Sequence, residues 1–183
     1  NSNKNSPHNS YTSSSKMITA ATNKKYRLTT KDNLLLDYSI DALDLNAYES
    51  SVDASEVTIT YSSSVKVKYK YDEKFKVYLR FTGTSKHVEE LTNEQLKVKN
   101  IIIVKDVDVK NIAGDAKGRV NLSNTGSGSG YYISEGKAIK ITWEKASRSS
   151  KTIYKDENGK KLKVNDGNTF IQIQPTGKAL SII

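Results

Sequence analysis

The sequence predicts a mainly β protein: an antiparallel sheet or sandwich-like domain with one or two short helices, preceded by a flexible N-terminal arm. Three observations point there. From about residue 25 onward, short runs rich in β-branched and aromatic residues recur, divided by turn residues. Eleven Tyr stand against one Trp and three Phe, which suits strands whose aromatics are half exposed. No strand-like run alternates with long helical patterns, as a parallel doubly wound sheet requires, and no repeat of 20–50 residues is present.

The elements follow in order. Residues 1–24 open with NSNKNSPHNSYTSSSK, a Ser/Asn-rich stretch without apolar periodicity, and read as a flexible tether. A tether is expected where a longer precursor has been trimmed; a cloning remnant or an ordinary disordered end fits the composition equally. Residues 25–183 then form one β domain. IDALDLNAY (40–48) reads as a short helix or a loop, and VTIT (57–60) as a strand.

SVKVKYKYDEKFKVYLRF (64–81) reads as a two-faced hairpin. Val65, Val67, Tyr69 and Tyr71 hold odd positions before DEK, and Phe75, Val77, Leu79 and Phe81 hold odd positions after it. Side chains alternate across a strand, so both apolar sets share a face only for an odd loop, of three residues (Asp72–Lys74) or of five. Lys66, Lys68, Lys70, Lys76, Tyr78 and Arg80 would then line the other.

SKHVEELTNEQLKVKN (85–100) has a weak helical period at Val88, Leu91 and Leu96 that allows one or two turns. NIIIVKDVDV (100–109), GYYIS (130–134), KAIKITWEK (137–145), KTIYK (151–155) and TFIQIQP (169–175) read as strands. Asn158-Gly159 predicts a type I′ hairpin within 152–164. Asp166-Gly167 predicts a second hairpin within 164–175, whose last strand Pro175 ends because it cannot donate a ladder hydrogen bond.

Composition excludes several chemistries. Cysteine is absent, so no disulfide, thiolate nucleophile or Cys-based zinc site forms; a reducing cytosol and an exported protein without disulfides both fit. No run approaches a membrane span, and residues 1–16 lack the apolar core of a signal peptide. The net charge of +9 attracts anions in general: nucleic acid, anionic lipid or wall polymers.

Candidate sites are few. Lys66, Lys68, Lys70 and Lys76 are candidate anion contacts, since lysines two apart on a strand stand roughly 6.5–7 Å from each other. Lysine is also the usual outward residue of a solvated strand, and that reading is preferred. Specific nucleic-acid binding would need stacking aromatics and arginines on that face, and they are scarce. Gly126, Gly128 and Gly130 lack the strand-before, helix-after setting of a phosphate loop, and read as a flexible entry into a strand. His8 falls in the tether, leaving His87 as the body's imidazole; Glu89 and Glu90 lie beside it without a nucleophile in a recognisable context. Asp106 and Asp108 share a strand face, and DENG (156–159) echoes a calcium loop but lacks its closing Glu. No metal site and no cofactor are implied.

A run of pieces goes further. Tyr71-Asp72, Tyr78 with Arg80, His87, Asn100 opening an apolar strand, Gly128, Gly136-Lys137, Thr142-Trp143, Asp156 with Gly159, and Gly167-Asn168-Thr169 leading into FIQI follow one another across about residues 55–175. In order and spacing this resembles the C-terminal domain of the YerB-like family, bacterial lipoprotein-like proteins classed as a domain of unknown function. Phe170 departs from it, standing where the family is expected to carry Trp, and family members usually bear a further domain upstream. The resemblance implies the folded part of an exported, lipid-anchored protein and supplies no catalytic residue.

The resulting expectation is a noncatalytic, extracytoplasmic binding or interaction module of a tethered envelope protein. It would contact an envelope protein or an anionic wall polymer, bind no specific nucleic acid, and reach the membrane only through an N-terminal anchor absent from this chain. Trp143, Tyr78, Arg80 and His87 are the candidate ligand contacts, because together they offer aromatic surface and hydrogen-bonding groups. The alternative is a hydrolase acting on envelope carbohydrate or peptide through carboxylates and His87.

Overall fold

The computed structural model describes residues 4–6, 9–29 and 34–183, and compactness divides the chain into Asn1–Leu34 and Leu35–Ile183. His8 lies outside the described residues. Within the stretch read as a tether, the first unit forms one helix, α1 (Ser14–Asn23). The Ser13 hydroxyl accepts from the Lys16 amide at 3.3 Å, the usual work of an N-cap. No residue of α1 is buried, so the cap and the helix propensity of Ala20 and Ala21 sustain it without a packed face.

The second unit is built of strands β1 (Asp37–Ser39), β2 (Val52–Asp53), β3 (Glu56–Thr60), β4 (Lys66–Asp72), β5 (Val77–Thr82), β6 (Ser85–Lys86), β7 (Lys97–Val98) and β8 (Asn100–Val107). These are followed by β9 (Val109–Asn111), β10 (Val120–Leu122), β11 (Gly126–Ser134), β12 (Lys137–Lys145), β13 (Ile153–Asp156), β14 (Lys163–Asn165), β15 (Thr169–Pro175) and β16 (Leu180–Ile182). One sheet runs β16-β3-β4-β5-β6, with β7 also on β5; the other runs β13-β12-β11-β8-β15, with β2 also on β12. Most pairs are antiparallel, as expected, while β8–β15 and β1–β14 are parallel. The segment 40–48 contributes a single 3-10 turn, Leu45–Ala47.

Two cores result. Between the sheets, Val57, Ile59, Val67, Tyr69 and Tyr78 meet Ile101, Ile103, Ile133 and Ala138. On the opposite face of the second sheet, Ile102, Tyr132, Ile139, Ile141 and Trp143 are covered by Leu36, Leu45, Leu162 and Val164. Strand β8 is therefore buried on both sides, which is why its sequence is a continuous apolar run rather than an alternation.

Several local expectations are corrected. The β4–β5 loop has four residues, not three: Asp72 pairs with Val77 and Tyr71 with Tyr78. The Asp72 carboxylate accepts from the Phe75 amide at 3.1 Å and Lys76 takes a left-handed φ of 52°, which spends one more residue on the turn. An even loop moves Tyr78 and Arg80 to the face of Tyr69, and puts Val77, Leu79 and Phe81 with the lysines. Phe75 and Val65, expected in the apolar layer, are exposed.

Residues 85–100 form no helix. Strand β6, a Val88–Gln95 bridge and β7 occupy the stretch; the Glu89 carboxylate accepts from the Leu91 and Thr92 amides, and Leu91 has no core to face. The 156–160 turn is not type I′. Gly159 alone has positive φ, 75°, and the Asp156 amide donates to the Lys160 carbonyl at 2.9 Å, the three-residue loop with a left-handed glycine. Strands β14 and β15 form no hairpin, because each pairs elsewhere, with β1 and β8. Pro175 does end edge strand β15.

Candidate functional site

The four-residue loop makes the site. By turning Arg80 toward the sandwich interior, it carries a guanidinium to the margin of the inter-sheet core, where the side chain is half-buried. The β5–β6 register, Phe81 opposite Lys86, continues to place His87 across from Arg80, and the His87 amide donates to the Arg80 carbonyl at 3.0 Å. Gln95 Nε2 donates to the same carbonyl at 2.9 Å, and the Arg80 amide donates to Leu96 at 2.9 Å. The backbone on both sides of the arginine is thus fixed.

The guanidinium is held as firmly. Its Nε donates to the Tyr69 hydroxyl at 3.2 Å, and its carbon stands 4.9 Å from the Phe170 ring centre and 5.9 Å from that of Tyr69. Gln172 Nε2 donates to the Tyr69 hydroxyl at 2.6 Å, and the Tyr61 hydroxyl donates to Gln172 Oε1. Burial pushes the Tyr61 hydroxyl up to about 12 and raises that of Tyr69 against the opposing pull of Arg80. Both remain neutral at ordinary pH.

Arg80 Nη1 contacts His87 Nδ1. A guanidinium has no acceptor, so Nδ1 must accept, and the ring proton of neutral His87 sits on Nε2. Burial first and the Arg80 charge second lower the His87 pKa, favouring this neutral form. Arg80 Nη2 and His87 Nε2–H are left as two donors without an acceptor among the described residues, backed by a charge that never titrates. No described carboxylate pairs with Arg80 or orients the imidazole. The Glu89 carboxylate is spent on its own turn. The arrangement suits holding an anion; it lacks the oriented base and nucleophile of a triad.

The other predicted contacts lie elsewhere. Tyr78 is fully buried and donates to the Ala54 carbonyl at 3.0 Å, a core residue beneath the site. Trp143 belongs to the second core, on the far face of the other sheet, where its Nε1 has no partner among the described residues. Gly128 leaves room for it, since a Cβ there would come within 2.8 Å of that nitrogen. Gly130 is likewise a packing glycine in β11, whose Cβ would fall 2.1 Å from the Ile103 carbonyl oxygen; the glycine run is ladder strand, not a flexible entry.

Lys66, Lys68 and Lys70 do share an outer face, but Glu56 bridges two of them, at 2.6 Å to Lys68 and 3.4 Å to Lys70. Its hydrogen bond to Lys68 leads in lowering the Glu56 pKa. Lys76 sits in the loop instead, 3.5 Å from Glu135, which Lys99 also contacts. Asp106, at φ 55°, pairs with the adjacent Lys105, and Asp108 with Lys110 two positions on. Tyr61, Tyr69, Gln95, Phe170 and Gln172 were missed as site residues; FIQI alternation already set Phe170 and Gln172 on one face, but nothing local paired it with β4.

Comparison with known proteins bears on this surface. Residues 57–171 match the family described as protein of unknown function (DUF3048), C-terminal domain. The chain belongs to this family. The "Putative lipoprotein YerB" of Bacillus subtilis (strain 168) is 30% identical over 177 residues, which cover 96% of this chain and 50% of that protein. The crystal structure of the YerB protein from Bacillus subtilis superposes with a TM-score of 0.75 at 26% identity, covering 97% of this chain and 57% of that one. The chain thus spans about half the length of the curated relative it matches. Arg80, His87, Tyr69 and Phe170 all fall within the family match.

Proposed function

We propose that the chain is a noncatalytic binding module of an extracytoplasmic, membrane-anchored protein, and that Arg80 and His87 are its contact for a carboxylate on an envelope protein or wall polymer. The observation that carries this reading is the half-buried guanidinium, clamped by Tyr69 and Phe170 and facing no described carboxylate. A half-buried charge without an opposite charge is costly, and the free Nη2 of the guanidinium can donate a charge-assisted hydrogen bond to a carboxylate oxygen. The envelope setting rests on the relative whose name includes "lipoprotein", and residues 1–24 serve in this reading as the tether.

The test is titration calorimetry with short peptides ending in a free carboxylate, their amidated counterparts, and oligogalacturonate. Free-carboxylate ligands bind the natural protein, and R80Q weakens them at least tenfold, about 1.4 kcal/mol, without lowering the melting temperature to a matching extent. The peptide and galacturonate arms tell a protein partner from a polymer. Equal binding of amidated peptides, or of free peptides by R80Q, sinks the proposal.

A further inference from the structure

The first sheet covers only part of the second. It lies over Ile101, Ile103, Ile133 and Ala138, and its edge strand β16 stops short of the same face's continuation. Tyr131 pairs with Ile103 on one side and with Lys140 on the other, so Tyr131, Lys140 and, two residues beyond Ile103, Lys105 all point from this uncovered part. Two adjoining cavities of about 380 and 320 Å³ share these three residues. Leu180 and Ile182 of β16 form one wall, and the Ser129 and Thr142 hydroxyls line the floor beyond.

The lysines of this groove are loosely paired. Lys140 makes no ion pair in contact among the described residues; its charge reaches Glu157, the carboxylate at the groove's end, only at longer range, and that carboxylate accepts from the Glu49 and Ser50 amides at 2.7 and 3.0 Å. Lys105 Nζ stands 6.0 Å from the Tyr131 ring centre and only 3.5 Å from its neighbour Asp106. From strand and residue spacings the two lysines are rooted about 10–12 Å apart, with a half-buried aromatic ring between them. A ring with a negative face attracts the polarised C–H groups of a sugar. The flanking ammonium groups then demand acid groups on either side.

We propose that this groove is a second site, for an acidic carbohydrate chain, with one sugar ring on Tyr131 and its acid groups on Lys105 and Lys140. A nucleic acid fits less well, because one aromatic cannot stack successive bases. The site is independent of the Arg80 pair, so R80Q leaves it intact.

The probes are oligogalacturonate and phosphorylated dextran, with neutral dextran and single-stranded DNA as comparisons, binding R80Q protein so that the first site is silent. K105Q/K140Q is expected to weaken both acidic probes at least tenfold and to flatten the salt dependence of binding. K97Q/K160Q, a pair of exposed lysines elsewhere, changes affinity less than twofold. Y131F retains binding and Y131L loses it. Equal losses from the two lysine pairs, equal binding of neutral dextran, or tighter binding of DNA overturns the proposal. If Y131L fails to fold, the paired lysine variants decide alone.

Discussion

His87 shows how a single side chain acquires its properties from its neighbour. Its pKa is lowered by burial and then by Arg80, so the folded chain resists a proton that the unfolded chain accepts near pH 6.5. The unfolded state therefore binds more protons as pH falls below that value, and stability drops with it. Above pH 6.5 the contribution is fully present. Urea midpoints measured from pH 7.5 to 5.5 fall for the natural protein and fall less for H87Q; parallel curves would show that His87 is not held neutral. The residues of this pair were legible in the sequence, because the family pieces include both. Their company was not: Trp143 and Tyr78 are equally conspicuous in sequence, yet one packs under Leu36 and Leu45 and the other beneath the site. Whether an aromatic is floor, core or contact depends on which sheet face it shares, and that is fixed at the next scale.

Turn length decides those faces. The alternation of residues 64–81 reveals a hairpin and favours an odd loop, whereas the four-residue loop observed exchanges every side chain of β5 between core and solvent. Asp72 capping Phe75 and the left-handed Lys76 select four residues. Neither signal is strong in sequence, since lysine rarely adopts positive φ. Deleting Lys76 while the turn keeps four residues would set Asp72 opposite Tyr78 and Tyr71 opposite Leu79, and is expected to cost about 3 kcal/mol or more, the scale of losing a large buried side chain. It would force Leu79 inward and expel Tyr78, which is read as a lower urea midpoint and exposed tyrosine absorbance. A variant as stable as the natural chain would show that the register is not set by this turn. The same logic explains the other misses: a weak period at 88, 91 and 96 met no apolar surface to pack on, and the Asp166-Gly167 turn joined strands that have better partners elsewhere. The strands themselves were legible wherever β-branched runs met turn residues, as in β8, β12 and β15.

The whole unit is a sandwich with a third layer, and its two cores are sealed by tyrosines. Tyr78 and Tyr132 are fully buried; burial raises Tyr78 strongly and pushes Tyr132 and Tyr61 up to about 12. A raised folded-state value means that stability is whole below the unfolded value of about 10 and is lost as pH climbs beyond it. Melting temperatures are expected to hold from pH 8 to 9.5 and to fall steeply between 10 and 12; a flat profile to pH 12 would contradict the burial of these hydroxyls. Composition foretold a β body, whereas the parallel pairs join residues over 60 positions apart, such as Phe170 with Ile101, a pairing that no local pattern encodes.

The functional account turns on whether the Arg80 guanidinium takes an external carboxylate. Nitrogen-15 spectra of the Arg80 Nε–H and the His87 ring, recorded during an acetate titration with chloride at the same ionic strength as the comparison, measure this directly. The account predicts saturable shifts of both signals with acetate, absent with chloride and absent at the His87 ring in R80Q. Identical responses to the two anions, or acetate shifts at His87 that survive R80Q, would contradict it.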